Sequence, residues 1–178
     1  MSDILVVVDM QNDFIDGSLG TKEAEQIVDK VAKEMDGDYD FIFCTRDTHD
    51  DNYLSSNEGR HLPVVHCVKD SEGWMLADKV QQALSKKDED SYMIINKPVF
   101  GSEKLVDLLR EYDRVSGIGS ITLLGLCTDI CVVANALLIK TAFPEIPVRV
   151  KKDCCAGVTV ESHKAALETM KMCQIEIE

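Results

Sequence analysis

Short apolar runs alternate along this chain with longer stretches in which apolar residues recur every three or four positions. The runs predict strands near 4–8, 40–44, 92–95, 120–126, 147–151 and 174–177. The amphipathic stretches predict helices near 21–35, 73–85, 102–112, 131–141 and 160–172. Strands that are apolar on both faces and separated by helices form parallel sheets covered on both sides, joined by right-handed crossovers. The expected fold class is therefore α/β, a three-layer α/β/α arrangement around a central parallel sheet. Ser85–Ser91 (SKKDEDS) reads as a solvated connection inside one domain spanning 1–178. Gly117-Ile118-Gly119 lies before a strand, whereas a phosphate-binding glycine loop follows one, so a turn is expected there.

Three strand ends carry chemistry. Ile4–Val8 delivers Asp9, Tyr92–Ile95 delivers Asn96 and Lys97, and the run from Ile121 stops at Gly125 before a helical segment holding Cys131. In an open parallel sheet, ligands bind in the crevice outside the carboxyl ends of the strands, so Asp9, Lys97 and Cys131 are expected to converge there. With Val132–Lys140 read as helix, Cys131 falls in its first turn. There the helix dipole favours a thiolate and unpaired N–H groups offer a place for an oxyanion. On this segment alone, a packed structural thiol is the competing interpretation.

Composition narrows the class. A chain of 178 residues, 45% of them hydrophobic, fills one core and is short for two. The net charge of −13 disfavours nucleic acid and anionic lipid as partners and leaves a small molecule as the expected one. No apolar run is long enough to span a bilayer, and the first residues carry an acid where a signal peptide carries positive charge. Seven cysteines, an odd number, then suggest free thiols in a reducing, cytoplasmic setting. Neither the Cys127/Cys131 spacing nor the adjacent Cys154-Cys155 pair has the C-x-x-C form of a redox or zinc site.

A second cluster follows the strand Asp40–Cys44. Asp47 and His49 are alternate residues of an extended segment and point the same way, and His66 is available to join them. Two imidazoles and a carboxylate suit a divalent ion, zinc first, with iron or manganese as alternatives. Glu58 is a further candidate ligand. His61 is expected to be exposed, and His163 to cap or pack a helix near its start.

Taken in order, VVVDMQNDF at 6–14, TRDTHD at 45–50, LPVVHCV at 62–68, NKPVFGS at 96–102, GLCTDICV at 125–132 and DCCAGV at 153–158 resemble the isochorismatase-like cysteine hydrolases, the superfamily that contains nicotinamidase. The resemblance covers nearly the whole chain. It implies a Rossmann-like, isochorismatase-like fold and places Asp9, Lys97 and Cys131 on an Asp-Lys-Cys catalytic set. It also implies an oxyanion hole from the backbone N–H groups of Cys127 and Cys131, and a metal site in which Asp47, His49 and the His66-Cys67 pair match the family's ligands. The implied reaction is amide hydrolysis through a thioester, with nicotinamide as the leading substrate and a homo-oligomer as the expected assembly.

One position departs from the nicotinamidase pattern. The residue three before His66, where many nicotinamidases carry a stacking aromatic, is Pro63, which leaves Phe14, Phe100 and Trp74 as candidates for the pocket wall. The alternatives to an amidohydrolase are a vinyl-ether hydrolase of the isochorismatase type, against which Cys131 weighs, and an idle binding member of the fold, against which the complete Asp9, Lys97 and Cys131 set weighs.

Overall fold

The computed structural model describes residues 1–178. Six parallel strands, β1 (Ser2–Val8), β2 (Phe41–Asp47), β3 (Tyr92–Lys97), β4 (Ile118–Leu126), β5 (Val148–Ala156) and β6 (Glu176–Ile177), lie in the order β3-β2-β1-β4-β5-β6. The helices are α1 (Asn12–Ile15), α2 (Lys22–Met35), α3 (Asn57–His61), α4 (Asp78–Leu84), α5 (Glu103–Ser116), α6 (Val133–Ala142) and α7 (Val160–Met172). Helix α2 packs with α1 and α4 in one layer, and α6 packs with α5 and α7 in the other. This is the expected three-layer fold. The strand order reverses direction between β1 and β4, and the crevice at a doubly wound sheet's switch point opens at their carboxyl ends.

Local sequence explains most elements. Residues Ile4 to Val8 are wholly inaccessible because β1 is covered by helices on both faces. In α2, Ala24, Ile27, Val31 and Met35 repeat at helical spacing and are all buried, while the Thr21 hydroxyl caps the N-terminus by accepting from the Ala24 N–H. Helix α7 starts with a capping box between Thr159 and Ser162. No helix is long and apolar enough to cross a membrane.

Several boundaries differ from the sequence expectation. The helix expected over 73–85 begins only at Asp78. Residues 73–77 instead run beside the chain leaving β1, with Asn12 N–H donating to Met75 O, Asp13 N–H to Gly73 O and Ala77 N–H to Met10 O. Tertiary pairing therefore overrides the local helical pattern. Helices α1 and α3, at four and five residues, are too short to show a period and were not foreseen. Strand β5 runs on to Ala156, because Gly125 and Leu126 pair with Cys155 and Ala156 after a register shift. Gly117 does end α5 with a positive φ of 72°, but Ile118 and Gly119 already belong to β4 rather than to a turn.

Gly125 is the tightest point of the switch region. Its φ is 119°, and a Cβ there would lie 2.1 Å from the carbonyl oxygen of Val8. Gly125→Ala is expected to destabilise the fold by about 3 kcal/mol or more, because both the backbone conformation and the β1–β4 spacing oppose it. Urea unfolding measures this, and an unchanged midpoint would refute it.

Candidate active site and metal centre

Asp9, Lys97 and Cys131 meet at the carboxyl ends of β1, β3 and β4. The chain turns out of β1 at Asp9, which has a positive φ of 46°. Its carboxylate accepts from the Thr45 hydroxyl at Oδ1 (2.7 Å) and faces Lys97 Nζ at Oδ2 (2.6 Å). Lys97 Nζ also lies 3.4 Å from Cys131 Sγ and donates to the Val99 carbonyl at 3.1 Å. Lys97 is only 1% exposed, a position a charged amine occupies only when paired. Burial opposes its charge, but Asp9, Cys131 and Asp47 outweigh that and hold its pKa above the usual lysine value.

The state of Cys131 differs from the sequence expectation. Residues Thr128–Val132 form a single wide π turn that leads into α6, so Cys131 sits in that turn and not in regular α-helix. Burial, followed by the negative charge of Asp9, pushes its thiol well above the ordinary value, with Lys97 opposing. The resting group is therefore a thiol rather than a dipole-stabilised thiolate. Asp9 is itself raised by burial, with Lys97 opposing, which makes it a better proton acceptor than an exposed carboxylate.

The carbonyl of Cys127 accepts from the Ile130 and Val132 N–H groups at 3.1 and 3.0 Å, passing over that of Cys131. The Cys127 side chain makes no cap hydrogen bond. Asn135, absent from the residues expected at the site, is fully buried. Its amide donates to Cys131 O (2.8 Å) and Phe100 O (3.2 Å), while its oxygen accepts from Ser102 N–H (3.0 Å), tying the turn to the loop after β3. A lone amide in the apolar stretch VVANALLIK was the available signal.

A second cluster stands next to this one. Nε2 of His49 lies 2.9 Å from Asp47 Oδ2 and 3.7 Å from Glu58 Oε1, and Nε2 of His66 lies 3.5 and 3.9 Å from the same two oxygens. One donor atom from each of the four residues falls within 4.8 Å of the others. His66 Nδ1 contacts the Val64 carbonyl at 2.8 Å, an arrangement that leaves Nε2 turned to the cluster, as in metal-bound histidines. Two imidazoles and two carboxylates therefore fit a divalent ion. Cys67 is not among the donors: its side chain is buried elsewhere, and its N–H is held by the Asp13 carboxylate at 2.7 Å. Asp47 belongs to both clusters, with Oδ1 3.6 Å from Lys97 Nζ.

A cavity of about 300 Å³ opens onto both clusters and includes Asp47, Glu58, His66, Cys127 and Cys131 in its wall. Phe14 and Phe100 line it, as expected, and Phe14 stands 5.5 Å from the His66 ring. Pro63 is absent from the wall and its neighbour Leu62 takes part instead. Trp74 does not reach the cavity. It lies under the Arg46 guanidinium, 3.6 Å from the ring centroid, and donates to the Thr48 hydroxyl. His61 is exposed, and His163, in the first turn of α7, contacts the Thr128 hydroxyl at 2.8 Å.

Known proteins resemble this chain over nearly its whole length. The chain is 29% identical over 175 residues to PncA of Bacillus subtilis, described as an uncharacterised isochorismatase family protein, covering 94% of this chain and 93% of that protein. It is 26% identical over 185 residues to the nicotinamidase/pyrazinamidase of Mycobacterium tuberculosis, covering 97% and 96%. The pyrazinamidase of Pyrococcus horikoshii, solved in complex with zinc, superposes with a TM-score of 0.78 at 28% identity, covering 100% of this chain and 99% of that one. The isochorismatase domain model matches residues 3–177, nearly every position from β1 to β6, and on that match the chain belongs to the isochorismatase family.

Proposed function

We propose that this protein is a cysteine amidohydrolase that converts a small carboxamide, nicotinamide first, to its carboxylate and ammonia. The observation that carries this reading is Lys97, buried between the Asp9 carboxylate (2.6 Å) and the Cys131 thiol (3.4 Å) on the edge of an apolar cavity. The nicotinamidase/pyrazinamidase relatives support the substrate class.

In this mechanism the amide carbon sits against Cys131 Sγ and its oxygen against the N–H groups of Cys127 and Cys131. Asp9 takes the thiol proton as sulfur attacks, so the negative charge passes from the Asp9 carboxylate to the forming oxyanion. Lys97 stays charged throughout and offsets the negative charge shared by Asp9 and sulfur. Collapse of the tetrahedral adduct breaks the C–N bond, and the proton held on Asp9 goes to departing ammonia. Asp9 then removes a proton from the water that attacks the thioester carbon, and as the C–S bond breaks it returns that proton to the Cys131 sulfur, freeing the acid and the thiol. A zinc, iron or manganese ion held by Asp47, His49, His66 and Glu58 would supply Lewis-acid anchoring of a ring nitrogen or a water. Phe14 and Phe100 offer apolar faces to the ring.

The seven cysteines are all unpaired, which supports a reducing, cytoplasmic setting. A homo-oligomer is part of the same proposal and is tested by native mass. The activity is tested by ammonia release from a panel of aromatic and aliphatic amides, with nicotinamide expected to react best and thiol alkylation to abolish the signal. Silence across the panel, or vinyl-ether cleavage in its place, would overturn the reading.

A further inference from the structure

Strand β1 pairs with β2 only as far as Val7 and Cys44, whereas β2 runs on to Asp47, whose opposite side is paired with Lys97 of β3. On the β1 side, Asp47 has outrun its neighbour. Its N–H and C=O there would be buried without a strand to bond. The side chain of Gln11, fully buried, supplies the missing partner: its Oε1 accepts from the Asp47 N–H at 2.7 Å, and its Nε2 donates to the Asp47 carbonyl at 2.8 Å. The same Nε2 donates to the carbonyl of Trp74 at 2.9 Å. A carboxamide presents a donor and an acceptor side by side, as a peptide group does, and so acts here as one residue of strand.

From this pairing we infer that Gln11 is the positioning residue of the candidate metal centre, an inference that rests on the metal-ligand role proposed for Asp47. The Gln11 side chain bonds no side chain of either cluster. It fixes the backbone of the one residue that belongs to both, and thereby where the Asp47 carboxylate stands relative to His49 and His66. An isosteric apolar side chain would leave three buried polar groups unsatisfied and free the end of β2 to shift. A carboxylate would set oxygen against the Asp47 and Trp74 carbonyls.

The test is the Zn²⁺ affinity of folded Gln11→Met, measured by competition with a chromophoric chelator. Affinity should fall about 10–100-fold, the usual effect of losing a group that orients a ligand. Iodoacetamide labelling of Cys131, followed on its own peptide, should change by a much smaller factor, since the 2.6 Å Asp9–Lys97 pair is kept and only the looser 3.6 Å Asp47–Lys97 contact is disturbed. Gln11→Asn, with a carboxamide one methylene shorter, should lose affinity by a smaller factor and decides the matter should Gln11→Met not fold. Wild-type affinity in either folded variant overturns the inference, as does a loss of affinity matched by an equal change in Cys131 labelling. Two unfolded variants would assign Gln11 to the fold as a whole and overturn it equally. A wild-type protein that binds no Zn²⁺, Fe²⁺ or Mn²⁺ removes the metal centre along with the inference. Normal zinc binding without ammonia release would instead overturn only the proposed activity.

Discussion

Cys131→Ala is expected to lower ammonia release by about 10³-fold or more, while substrate binding and the fold persist. The loss follows from removal of the only sulfur within 3.4 Å of Lys97, and the cost in stability should be about 1 kcal/mol, as for other small buried truncations. Steady-state turnover with a ligand-binding measurement checks both halves, and near-normal turnover would take Cys131 out of the mechanism. Asp9→Asn and Lys97→Ala should fall steeply too, and the double variant should lose far less than the sum, because Lys97 acts through the charge it shares with Asp9. Small additive losses would mark the 2.6 Å pair as structural. Cys127→Ala should be mild, since alanine retains the N–H proposed for the oxyanion.

The second large effect concerns the four-residue cluster. Purified protein is expected to carry a divalent ion that His49→Ala or His66→Ala loses and that His61→Ala and His163→Ala keep, as metal analysis by mass spectrometry reads directly. The last two histidines lie outside the donor set. Chelation should raise KM or suppress turnover, zinc, iron or manganese should restore it, and the Cys131 thiol should stay open to alkylation meanwhile. Full activity in metal-free protein would reject a catalytic metal.

Much of this site was legible before any coordinates. Ile4–Val8 is apolar on both faces, which marks a buried parallel strand, and the polar residue that ends it faces the crevice. Tyr92–Ile95 has the same pattern but forms the edge strand of the sheet, with Met93 40% and Ile94 38% exposed. Asp9 follows from that rule, whereas the residue ending the second run is the exposed Asn96, held by Arg46, and Lys97 one place on is the one turned inward. Asp47 and His49 follow from alternation in extended chain. What escaped depends on contacts distant in sequence. The segment from Gly73 to Ala77 has a helical pattern and is held in a turn and a single bridge only because Met10 to Asp13 pair with it. Gln11 and Asn135 look like ordinary polar residues until the ends of β2 and the Cys131 turn are seen to need their amides. The acidity of Cys131 was misjudged for a related reason: a helix start favours the thiolate, but complete burial beside Asp9 outweighs the dipole.

That burial bears on how the protein survives in a cell. Peroxide reacts with thiolates far faster than with thiols, and oxidation beyond the sulfenic acid is seldom reversed. In the proposed mechanism Cys131, 6% exposed and with burial opposing its ionisation, would be spared most of that chemistry between turnovers. Cys173, exposed just beyond the end of α7, meets the solvent first. Oxidative damage to the chain would therefore accumulate at a surface position remote from β1 and β4 while the reacting sulfur stays intact.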